Sequence, residues 1–299
     1  MSADLFQAVL TDTLQQSVAI SNTTYKAHRH PSRLSDLQFR QALVDDEKDH
    51  YFPGGRPGIS YLPSDFLRSG LFCLSTSMSD EEVTETFPIH QWDSIDVKVS
   101  GEFIHYRGPR LTQYHKRILL EIVALAAGAE NDATLRIEPV PFLAAIGRNS
   151  CTRNKLALAR AFEHLACAKV RVTKYAGDWG MPLELLRRVS WLKNEAHLEM
   201  APSLARTLWW NRRTLLPLAL RTPLSDGLAT GLMDLFRAAP QPMYTVKALA
   251  AVWEREPVQF GRELGPVLLR LAEIGFLSKY RRSRGKIHII EAPYKIPGR

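Results

Sequence analysis

The stretch that most restricts the fold is residues 257–291, PVQFGRELGPVLLRLAEIGFLSKYRRSRGKIHIIE, where a helical period changes to a strand period across one glycine. Phe260, Leu264, Val267, Leu268, Leu271 and Ile274 recur at the three-and-four spacing that lays one stripe of a helix on a core. Gly275 supplies a left-handed stop. Residues 276–280 and 286–290 then read as two strands around the turn Arg281-Arg282-Ser283-Arg284-Gly285. A chain with this order must pack a helix beside a hairpin.

Charge gives that pair of elements a partner. Gln259, Arg262, Glu263 and Arg270 fall off the apolar stripe, and Lys279, Arg281, Arg282, Arg284 and Lys286 crowd the hairpin. A helix in the major groove with a basic hairpin on the adjacent phosphates is the geometry of a winged helix-turn-helix. Gln259 and Arg262 are the candidate base readers, and the hairpin cations are the candidate phosphate contacts. The alternative is a solvated amphipathic helix followed by an ordinary charged hairpin. Distribution favours DNA: residues 202–299 carry 16 Lys and Arg against 7 Asp and Glu, residues 101–201 carry 15 against 10, and residues 1–100 carry 8 against 14. The cations thus concentrate where the reader pattern lies.

The remaining composition narrows the class. With 299 residues, 45% of them hydrophobic, the chain is long enough for two domains of about 100–150 residues and a shorter leader. Three cysteines form no disulfide framework and suit a reducing cytoplasm. Cys151 and Cys167 sit on one predicted helix, ~24 Å apart at about 1.5 Å per residue, too far to share a metal, and read as packing residues. No apolar run reaches a membrane span, and the N-terminus lacks the basic-then-apolar order of a signal, so a cytoplasmic protein is expected. Gly54, Gly55 and Gly58 lack the Gly-Lys-Ser/Thr of a phosphate loop, and no cofactor or metal is expected.

Read in order, residues 1–58 form a leader and linker with little expected core. Residues 62–74 read as a turn and short helix with Ser64 as N-cap, and residues 95–99 and 102–106 as strands around Ser100-Gly101. A helix from the Thr112 cap to Ala127 buries Tyr114, Ile118, Leu119, Ile122 and Ala126. Residues 141–146 form a shorter helix. A long one over residues 151–168 opens with Arg148, Asn149, Arg153, Asn154 and Lys155 and buries Leu156, Phe162 and Leu165. Strands follow over 169–174, 185–192 and 196–200. Residues 202–210 form a linking helix, with Trp209 and Trp210 at a junction, and residues 214–220 a strand. Helices over 226–238, capped by Ser225, and 245–253, capped by Thr245, then lead into the opening stretch. Helix, short helix, long helix and hairpin therefore occur twice. The expected fold is α+β, mainly helical, with tandem winged-helix domains over 59–201 and 202–299 behind a poorly packed leader. The first domain offers Arg148, Asn149, Arg153, Asn154 and Lys155 as a second DNA-contact set.

Some of these residues also carry a family resemblance. LPSDFLRSGLF at 62–72, Tyr106, Gly108, Leu111 and Gln113 in HYRGPRLTQYHKRILLEIVALA, and Leu165, Ala168 and Val170 in EHLACAKVRV together resemble plasmid replication initiators of the TrfA type. His164 stands where that pattern has Arg, and no acidic residue follows Gln113. Phe260, Arg262, Leu264, Pro266, Leu269 and Ile274 are similar to the C-terminal winged helix of the wider iteron-binding group, which carries a proline inside its reader helix. The Gly265-Pro266 pair predicts a helix that starts near Leu264 or bends there. The resemblance implies binding to repeated origin sites, opening of adjacent AT-rich duplex, recruitment of a host initiator and replicative helicase, a monomer–homodimer equilibrium through the first domain, and no enzyme activity.

Two rival functions and one extra partner fit parts of the sequence. A tandem winged-helix transcriptional regulator needs the same readers and no DNA opening. A rolling-circle nickase needs a His-hydrophobic-His metal pair; His28-Arg29-His30 has the spacing but a charged centre. Ala3-Asp4-Leu5-Phe6 is similar to the Leu-Phe tail of sliding-clamp peptides, although its leading Gln is missing, and the first turn of an ordinary helix is the alternative.

Overall fold

The computed structural model describes residues 51–93, 96–173, 182–283 and 285–291. Leu5, Phe6, His28, His30, the charge run at 45–49 and Arg284 lie outside them.

In chain order the elements are β1 (Ile59–Pro63), α1 (Ser64–Leu67), β2 (Glu82–Asp93), β3 (Asp96–Pro109), α2 (Gln113–Leu125), β4 (Thr134–Ile137), α3 (Pro139–Ala145), α4 (Thr152–Cys167), β5 (Lys169–Val172), β6 (Leu183–Glu184), β7 (Leu186–Leu192) and β8 (Glu195–Met200). They continue with α5 (Pro202–Trp210), β9 (Arg213–Pro217), α6 (Leu228–Ala238), β10 (Met243–Thr245), α7 (Val246–Ala251), α8 (Pro257–Glu273), β11 (Lys279–Ser283) and β12 (Lys286–Glu291). Helix and strand contents are about equal, so the fold is α+β without being mainly helical. The excess strand lies largely in β2 and β3, a long antiparallel pair.

A repeated plan organises the chain. The helices α2, α3 and α4 recur as α6, α7 and α8, and each trio carries a three-stranded sheet of matching order, β4-β8-β7 and β10-β12-β11. In both, a short strand between the first two helices pairs with the second strand of the closing hairpin. Both short strands escape pattern reading, being only four and three residues long. The first repeat differs by an excursion: β5 and β6 leave α4 to join β2 and β3 in a four-stranded sheet before β7 and β8 form its wing.

Several expectations change. Ser100-Gly101 is no hairpin turn; β3 runs through it, with Gly101 at φ 76° opposite the register shift between Pro88 and His90. The partner strand β2 carries a proline and many polar residues, as an edge strand can. Leu156 is exposed and Leu158 takes its core position in α4, while Cys151 and Cys167 are exposed at the helix ends and lie outside both cores. Helix α6 begins after Gly227, freeing Asp226 for other work. Residues 276–278 precede β11, with Phe276 and Leu277 buried. Phe52, expected in a linker, is buried in the first core.

Two apolar cores result. One gathers Leu62, Phe66, Ile118, Phe162 and Leu198 and extends through Leu204, Leu208 and Leu216; the other starts at Leu220 and gathers Leu235, Leu249, Phe260, Leu264 and Leu271. Residues 202–217, grouped with the second domain by sequence, therefore pack with the first, because β9 pairs with β1 in a two-stranded sheet. Leu74 and Trp92 cross in the other direction, onto the second core.

Helix α2 lies at the centre. It buries His115, Lys116 and Arg117 as well as its expected apolar stripe. The Thr112 amide donates to Nδ1 of His115 at 3.0 Å, so this imidazole is protonated on Nε2, which lies 3.1 Å from Nδ1 of His164. Nε2 of His164 reaches Asp80 at 2.8 Å, and Arg160 also binds that carboxylate. Arg160 and then His164 hold Asp80 below the usual carboxylate range. Burial pushes His115 down to about 3 and His90, whose ring nitrogens have no hydrogen-bond partner among the described residues, down to about 4.

Candidate nucleic-acid interface

The second repeat presents the fuller candidate surface. Pro257 occupies the first turn of α8, where its missing N–H costs nothing, and Glu256 caps the helix by accepting from the amides of Val258 at 3.0 Å and Gln259 at 2.7 Å. Those amides, with Arg262 nearby, hold the exposed Glu256 carboxyl below its ordinary range. The end of the helix that would attract a phosphate already holds a carboxylate.

Along α8, Phe260, Leu264, Leu268 and Leu271 are buried, and Val258, Gln259, Arg262, Pro266 and Leu269 face water. The helix is continuous through Gly265-Pro266, contrary to the expected late start or bend. Pro266 leaves the Arg262 carbonyl without its usual helical donor, on the wet side. The two glycines have a separate use. They lie one turn apart beneath Arg282, whose guanidinium donates to the Gly261 carbonyl at 2.7 Å.

Arg282 therefore braces the wing against α8, and the reason is the strand period. Tyr280 and Arg282 share the face of β11 that meets the core; Lys279 and Arg281 point the other way. Arg281 lies opposite His288, and Lys286 opposite Ser283, so the outer face of the wing carries Arg281, His288 and Lys286. Arg281 and Lys286 are exposed.

The first repeat presents less. Arg148, expected to meet DNA, binds Asp226 at 2.5 Å and lies over the Tyr114 ring. Asn149 and Asn154 are tied to each other: Nδ2 of Asn154 donates to Oδ1 of Asn149 at 2.6 Å, closing the loop that starts α4. Arg153 and Lys155 are exposed beside Leu156. The structure adds residues that the sequence did not single out. The β7–β8 wing exposes Arg187, Arg188 and, at its tip, Lys193 and Asn194, both with positive φ. The run Arg187-Arg188 before Lys193-Asn194 carried a hairpin signal, but β5 follows α4 directly and competes for the same role.

A buried ion cluster holds the repeats together. Lys116 and Arg117 of α2 reach Asp234 at 2.5 Å and Asp226 at 2.6 Å in the second repeat, and Arg221 also pairs with Asp234. Arg117 donates to the carbonyls of Ile146 at 3.0 Å and Leu224 at 2.6 Å. Burial lowers Lys116 to about 8 against the opposing pull of Asp234, and lowers Arg117 in the same sense. The two repeats are thus joined through buried ion pairs.

Among the described residues there is no group of three or more His, Cys, Asp or Glu placed to hold a metal ion, and no helix long and apolar enough to cross a membrane. No family model matches the chain, and no curated protein matches it. Its fold is similar to that of domains 2 and 3 of RctB, in a crystal structure of the selenomethionine derivative, with TM-score 0.50 and 11% identity over 77% of this chain and 99% of that one. A second crystal structure of RctB domains 2–3 gives TM-score 0.47 at 11% identity, over 76% and 96%. The likeness is one of fold and does not single out the TrfA type.

Proposed function

We propose that this chain initiates DNA replication by binding duplex DNA through both winged-helix repeats. The observation that carries the proposal is the repeated helix trio with matching sheet order, each copy placing an exposed helix face beside a basic hairpin. The fold likeness to domains of RctB, a replication initiator, supports the same reading. In this reading Arg262 and Gln259 contact base edges, Arg281 and Lys286 contact phosphates, and Arg153, Lys155, Arg187 and Lys193 hold a second stretch of the same duplex. The buried cluster keeps the two contacts at a fixed separation.

The finer points belong to the proposal as well. The sites are repeats at an origin; binding favours opening of adjacent AT-rich DNA; a host initiator and replicative helicase follow; the protein interconverts between monomer and homodimer; and it is not an enzyme. Bending a site costs roughly 1–10 kcal/mol, which contacts from two rigidly joined readers can offset. Permanganate footprinting on a plasmid bearing the bound repeats tests this. Reactive thymines beside the occupied site are expected. Specific binding with no reactive thymines would make the chain a transcriptional regulator.

A further inference from the structure

The outer face of α8 is more apolar than a solvated helix requires. Val258 and Leu269 are 63% and 55% exposed, and Pro266 is exposed between them. Residues 258, 262, 266 and 269 fall within about 80° of one another on a helix turning 100° per residue. This face thus carries three apolar groups with Arg262 among them, and Gln259 borders it. None of the three apolar residues belongs to either core. The acidic groups of the helix are engaged: Glu256 on its own amides, Glu263 with Arg255 at 2.6 Å, and Glu273 with Arg270 at 2.9 Å.

In the major groove the apolar group is the thymine C5-methyl; Arg suits guanine O6 and N7, and Gln suits adenine N6 and N7. Building on the DNA-binding reading above, we propose that α8 determines sequence by thymine methyl contacts from Val258 and Leu269 on either side of an Arg262 contact to guanine. The cations favour DNA over an apolar protein partner as the occupant: Arg262 lies inside the stripe, and the adjoining wing presents Arg281 and Lys286 outward. The caps agree, since Glu256 closes the helix end to phosphate and leaves the side of the helix as the reading surface. From Val258 to Leu269 the helix rises roughly 16 Å, close to five base steps of about 3.4 Å, so the two methyl contacts sit at opposite ends of the contacted segment.

Deoxyuridine differs from thymidine only by that methyl, which makes the test direct. The full chain is used to select duplexes from a random library, and each thymidine of the selected site is replaced singly by deoxyuridine while affinity is followed by fluorescence anisotropy. One or two positions should weaken binding about three- to five-fold, as expected for one buried methyl. Leu269→Ala should abolish the discrimination at one such position and Val258→Ala at another, with Arg262→Ala keeping both. Both apolar residues are exposed, and unchanged thermal melting will show that the variants fold. Equal affinity for thymidine and deoxyuridine at every position overturns the proposal, as does discrimination that survives in both variants. Wild-type affinity of both variants with no methyl dependence would assign the face to a protein partner. A library that yields no preferred sequence sinks the DNA-binding reading itself.

Discussion

The two repeats share a topology and use it differently. In the second, α8 keeps one face open from Val258 to Leu269. In the first, α4 exposes Thr152, Arg153, Lys155 and Leu156 in its opening turn, and much of its later length packs inward through Leu158, Phe162 and Leu165. Arg148, a DNA-contact candidate by sequence, instead binds Asp226 across the junction, as Arg117 also does. The difference teaches that a shared topology fixes where an open helix face can be, while the company each helix keeps decides how much of it remains available.

The largest test of this contrast is to cut the junction. Asp234→Ala leaves Lys116 and Arg221 buried without their carboxylate and should cost about 3–5 kcal/mol in urea unfolding. Loss of joint binding by the two repeats before global unfolding would show that this cluster sets their spacing; an unchanged midpoint would remove it as the link.

Acid should act on the first repeat. His90 and His115 are held neutral, with values near 4 and 3 against an unfolded value near 6.5. The unfolded chain therefore takes up protons first, and stability present above pH 6.5 falls as pH drops toward 3–4. At pH 5 the loss is about 2 kcal/mol for each imidazole, to be read from the pH dependence of the urea midpoint. His115→Gln should flatten that profile.

The reading faces themselves should differ next. Arg262→Ala should weaken specific binding by about 1–3 kcal/mol and relax sequence preference, whereas Arg153→Ala should weaken all duplexes alike. The reverse outcome would make the first repeat the principal reader. Smallest is the wing. Arg281→Ala should lower the slope of log affinity against log salt by about one, and Arg282→Ala should leave the slope unchanged while lowering stability by about 1 kcal/mol, because its guanidinium sits on Gly261.

Periodicity alone was enough to place the Thr245 cap, the linking helix α5, the inner stripe of α8 and the final strand after Gly285, since each depends on neighbours within a few residues. The duplicated helix trio was legible for the same reason. Tertiary structure decided what local spacing cannot encode. The register of β11 turned Arg282 onto the helix, the pairing of β9 with β1 assigned residues 202–217 to the first core, and the closing hairpin of the first repeat proved to be β7–β8. Burial of Lys116 and Arg117 was hidden most completely. An amphipathic pattern places cations in water by default, and only the carboxylates of Asp226 and Asp234, more than a hundred residues away in sequence, make their burial affordable in this fold.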